Sequence, residues 1–79
     1  MTKKKLLKKL QEIFDLEEGK KEAHKNELKS ILKKLKIKEQ KIELKLMKES
    51  DAEKKIRLQK ELDIIYAQRK KGVNLLREL

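Results

Sequence analysis

Between Leu28 and Leu46 the apolar side chains fall at Leu28, Leu32, Leu35, Ile42 and Leu46, in alternating steps of four and three, with Glu39 filling the one polar place in the series. Residues three or four apart return to the same side of an α-helix, whereas a strand would need every second position. The stripe is therefore the packing seam of a helix, and the absence of proline anywhere in the chain leaves nothing to interrupt it. A second stripe follows at Leu58, Leu62, Ile65, Tyr66, Val73 and Leu76. Such periodicity argues against a disordered chain, although 48% charged residues and 3% aromatics would by themselves point that way.

Between the two stripes lies the acidic island Glu49-Ser50-Asp51-Ala52-Glu53. Ser50 with Glu53 has the spacing of a reciprocal capping box, and the negative charge suits the positive end of a helix. Folding back there sets Leu35 beside Ile65 or Tyr66, so the two seams face each other as an antiparallel pair. Upstream, Thr2 is placed to cap a first helix carrying Leu6, Leu7, Leu10, Ile13 and Phe14 on one side. A second island, Asp15-Leu16-Glu17-Glu18-Gly19, repeats the capping spacing more weakly.

The expected fold class is all-α: a short N-terminal amphipathic helix followed by a long antiparallel, coiled-coil-like helical hairpin that dimerises into a helical bundle. One domain covers residues 1–79, with a helix over about 3–14, a helix over about 16–48, a turn at 49–51 and a helix over about 52–78. Seventy-nine residues bury only a modest core, which favours ideal helix packing or a second copy of the chain.

Two positions within the last helix need explanation. Gly72 follows Arg69, Lys70 and Lys71 and could end the helix, but Ile65, Arg69, Val73 and Leu76 keep helical phase on both sides of it. The reading favoured is a helix that continues, with glycine either tolerated at about 1 kcal/mol or permitting close approach of another backbone. Arg69 sits in the apolar seam itself, where a guanidinium must reach water or find a carboxylate.

Away from the seams, Ile37, Leu44 and Met47 on one helix and Ile56, Ile64, Ala67 and Leu75 on the other form apolar faces that a bare hairpin would leave in water. The first helix, about 18 Å long, can cover part of them. Ile37, Leu44, Met47, Ile64 and Leu75 are the expected oligomer interface of a homodimer, or the contact for another protein.

The formal net charge of +10 is uneven: +4 over residues 1–14, −3 over 15–19, +7 over 20–48, −3 over 49–53 and +5 over 54–79. Lys34, Lys38, Lys41, Lys45 and Lys48 repeat at steps of four and three, lining one edge of a helix for roughly 21 Å. Such a row repels itself and is relieved by a polyanion, and the phosphates of nucleic acid would bind it without sequence preference and with strong salt dependence. With three arginines against 21 lysines, bidentate base reading is scarce. The basic first helix also has the composition of one that lies on an anionic membrane surface, a weaker expectation in the absence of tryptophan.

Other chemistries find little support. No cysteine is present, and the single histidine, His24, has Lys20 and Leu28 at its helical neighbours, which is not a metal-binding pair. Glycine-rich phosphate loops and nucleophile elbows are absent, and Glu39 with Glu43 has no evident pocket. Lys8 and Lys9 interrupt the early leucines before a secretion signal can form. The expectation is a cytoplasmic, non-enzymatic protein without cofactor or metal that binds polyanions. The alternative is a structural or adaptor protein acting through its helix faces, with the lysines serving solubility.

Overall fold

The computed structural model describes residues 2–79. The chain is all-α: helix α1 spans Lys3–Phe14, a single turn α2 spans Glu18–Lys21, a 3-10 turn spans Glu22–His24, α3 spans Lys25–Lys48 and α4 spans Ala52–Glu78. No strand occurs among the described residues.

Helix α1 starts as its sequence implies, with Thr2 Oγ1 accepting a hydrogen bond from the Lys5 amide at 3.3 Å. It ends where the Asp15 and Leu16 amides turn back to Gln11 and Ile13 carbonyls. The expected continuous helix over 16–48 is instead divided, and α3 begins only at Lys25. His24, with φ −101° and ψ 13°, departs from helical geometry at the junction. The physical reason lies in the sequence of the segment: residues 17–27 hold no apolar side chain larger than Ala23, so nothing anchors these turns in line with the seam that begins at Leu28. A methyl group built on Gly19 would point into open space.

The turn between α3 and α4 is built differently from the expected Ser50 cap. Asp51 is the N-cap: its Oδ1 accepts from the amides of Glu53 at 2.9 Å and Lys54 at 3.4 Å. Glu49 Oε1 accepts from the Ser50 and Asp51 amides, each at 3.1 Å. A carboxylate is a stronger acceptor than a hydroxyl and complements the positive end of a 27-residue helix.

Helices α3 and α4 pack against each other with Glu39 opposite Arg69 and Leu32 opposite Gly72. α4 runs through Gly72 without a break, in right-handed backbone geometry. A methyl group built on Gly72 would lie 2.6 Å from Leu32 Cδ2 and 3.5 Å from Leu10 Cδ1. Glycine therefore makes room for Leu32 of α3 and Leu10 of α1 against α4: the close approach is of side chains rather than of the second backbone expected.

Leu6, Leu10 and Ile13 of α1 join Leu28, Ile31, Leu32, Leu35 and Ile42 of α3 and Ile65 and Leu75 of α4 in one core. A 12-residue helix is marginal alone in water, so this burial is what holds α1 in place. Lys71 also lies over the Phe14 ring, 4.6 Å from its centroid. With Lys3 reaching Glu61 and Leu10 near Gly72, α1 runs beside the later part of α4 and leaves the end near the turn uncovered.

Two seam assignments change. Tyr66 is exposed (61%), and Leu75, expected on the outer oligomer face, is buried in the intramolecular core (8% exposed). Counting about 100° per residue, Leu75 and Tyr66 lie on opposite flanks of α4. Leu75 lies on the flank where α1 docks, and Tyr66 lies on the free one.

Candidate polyanion-binding surface

The five lysines of α3 share one flank of the helix but not one environment. Lys41, Lys45 and Lys48 are exposed, Lys38 is half-buried, and Lys34 already has an interaction partner. The flank they occupy is the one on which α1 packs. Beyond the start of α1, towards the turn, the row is open.

There Lys45 and Lys48 meet Lys54 and Arg57 of α4 around a shallow groove floored by Leu58. Its two carboxylates, Glu49 and Glu61, are both engaged. Glu49 holds the turn amides, and Glu61 receives the Lys3 ammonium at 3.2 Å. The Lys3 contact also brings the basic first turn of α1, with Lys4 and Lys5 exposed, to the edge of the groove. Four cations against two carboxylates, with the Lys3 ammonium paired to one of them, leave the depression net positive, and they converge there from two helices.

Lys54 and Arg57 lie outside the lysine row that the α3 spacing picks out. The signal that could have found them is symmetry about the turn: Lys48 and Lys54, and Lys45 and Arg57, are equally spaced from residue 51. Antiparallel packing sets such positions side by side.

The residues expected at an oligomer interface are not brought onto one face. Ile37, Leu44 and Met47 are exposed on α3, at 47%, 56% and 83%, roughly opposite its packed seam. Ile64 (53% exposed) lies on the α1-side flank of α4, and Leu75 is in the core.

The remaining candidate side chains have structural partners. His24 Nδ1 lies 3.0 Å from Glu27 Oε2. Glu39 is 6% exposed and paired with Arg69, so it does not form a carboxylate pair with exposed Glu43. No group of three or more metal-ligating side chains occurs among the described residues. Nor is any described helix long and apolar enough to cross a membrane.

No family model, curated protein or solved structure matches this chain.

Proposed function

We propose that this protein acts by binding rather than catalysis, as a small basic helical hairpin that takes up polyanions, nucleic acid in particular, without reading base sequence. The observation that carries this reading is the meeting of Lys45, Lys48, Lys54 and Arg57 around a groove whose carboxylates are already engaged. Lysine ammoniums contact phosphate as point charges and carry no base information. Lys41 extends the surface along α3, and Lys34 and Lys38 border it beside α1.

A second reading has its own support in the exposure of Ile37, Leu44 and Met47 along the outer side of α3. In that reading the hairpin is a homodimer or adaptor, and this face packs against a second copy or another protein's helix.

The test is binding of labelled mixed-sequence DNA and RNA across a salt series, followed by anisotropy, with light scattering on the same samples. Affinity should fall steeply with salt, and replacing Lys45, Lys48 and Lys54 with glutamine should reduce the magnitude of the logarithmic slope on duplex DNA by about 2–3. Unchanged affinity in that variant would remove the groove from consideration. No binding at low salt, with a dimer by scattering, would favour the adaptor reading.

A further inference from the structure

The free flank of α4 carries a second constellation, of different composition from the lysine groove. Tyr66, Lys70 and Arg77 recur at helical spacing with Arg69 beside them, around a shallow depression. Tyr66 is the only tyrosine, and 61% of its surface is exposed. Its spacing with Leu62, Val73 and Leu76 would place the ring in the α4 seam. Here Ile65 takes the core position and the ring of Tyr66 faces solvent.

The charges around it are those that a nucleic-acid strand requires. Arg69 is neutralised and held in place by Glu39, so its guanidinium adds a fixed planar edge rather than net charge. Lys70 and Arg77 are exposed cations one and three turns beyond Tyr66. The register that opposes Leu32 to Gly72 and Glu39 to Arg69 brings exposed Lys36 and Lys29 of α3 to the same flank, at about the levels of Lys70 and Arg77. Asp63, the nearest acid before the ring on α4, is engaged by Gln59 Nε2 at 2.8 Å.

We infer that Tyr66 is a stacking platform for an unpaired nucleobase, with Lys70 and Arg77, both on the C-terminal side of the ring, taking successive phosphates as the strand runs on along α4. This deepens the nucleic-acid reading above and rests on it: the groove near the turn supplies sequence-blind phosphate contact, and the Tyr66 flank supplies preference for single strands. Every base has a π-face, so stacking adds affinity for unpaired strands without adding sequence discrimination. In a duplex the bases are already stacked on one another and the ring gains nothing.

With no tryptophan in the chain, tyrosine emission reports on Tyr66 alone. The experiment titrates the protein with an oligothymidylate of about 12 nucleotides, an abasic oligomer of equal length, and a mixed-sequence duplex. Emission is corrected for absorption, and affinities are measured separately by anisotropy. The expected result is quenching by oligothymidylate but not by the abasic oligomer. Tyr66→Ala should weaken oligothymidylate binding roughly tenfold, leave duplex binding unchanged, and keep the helical circular dichroism signal. Tyr66→Phe should retain the affinity, because the ring rather than the hydroxyl makes the contact. If all three ligands bind but Tyr66→Ala binds oligothymidylate as wild type does, the stacking role is overturned while the polyanion reading stands. If none of the three binds at low salt, both fall together.

Discussion

Arg69 donates from Nη1 to the Oε2 of Glu39 across the contact between α3 and α4, and the two groups occupy the middle of otherwise apolar seams. Each appears in the sequence as an interruption of its own stripe, and each is the other's partner. Glu39 is 6% exposed, so removing Arg69 strands a buried carboxylate, while removing Glu39 leaves a partly buried guanidinium without its counter-charge. The Arg69 Nε is also buried without a hydrogen-bond partner, which makes the pair a costly way to gain stability and a specific way to set register.

Glu39→Ala is expected to destabilise the fold by about 3 kcal/mol, because it leaves the guanidinium uncompensated. The double variant Glu39→Leu with Arg69→Met is expected to recover most or all of that loss. Urea unfolding of the single and double variants measures both, and a double variant as unstable as the single would show that the pair contributes more than register.

Gly72 presents a contest between two effects. Alanine would gain about 1 kcal/mol in helix propensity. Its methyl would also press on Leu32 Cδ2, at 2.6 Å, with Leu32 only 7% exposed and Leu10 behind it. Overpacking of this kind costs about 1–3 kcal/mol, so Gly72→Ala is expected to be destabilising by about 1 kcal/mol net. In a Leu32→Ala background, with the obstructing methyls gone, the same substitution should be stabilising. A thermal-unfolding cycle over the four proteins reads the change of sign directly.

Capping of α4 separates two adjacent residues. Asp51→Ala should cost about 1 kcal/mol through loss of the bonds to the Glu53 and Lys54 amides. Ser50→Ala should be neutral within about 0.5 kcal/mol, since substitutions away from such features usually change little. Equal effects at the two positions would argue against this assignment of the cap.

The proposed polyanion binding is expected to be local to the groove near the turn. Lys45→Gln with Lys54→Gln should weaken nucleic-acid binding more than Lys8→Gln with Lys20→Gln, although both pairs remove the same net charge. Loss of affinity that depends on charge alone, equal in the two variants, would reduce the site to a diffuse field effect.

Much of the architecture is legible in the residue order, and the misreadings have separate causes. The spans of α1, the turn at 49–51 and α4 follow from Thr2, the acidic island and the seam spacing, which are local effects. The break before Lys25 escapes notice because a seam shows where a helix is packed but not where an unpacked extension bends. Tyr66 and Leu75 exchange places because both border the α4 seam, one on each flank. Hydrophobicity alone does not say which border is covered.

By itself the sequence determines the helical class, the two seams, the cap at Thr2 and the uneven distribution of charge, because periodicity and charge are properties of neighbours along one helix. Tertiary structure decides which flank of the α3–α4 pair receives α1, that Gly72 is the crossing point, that Glu39 answers Arg69, and that Lys54 and Arg57 join Lys45 and Lys48. Those relationships depend on the register between helices and on a third body docking against a pair. Side chains far apart in the chain become neighbours only when packing selects one side over the other.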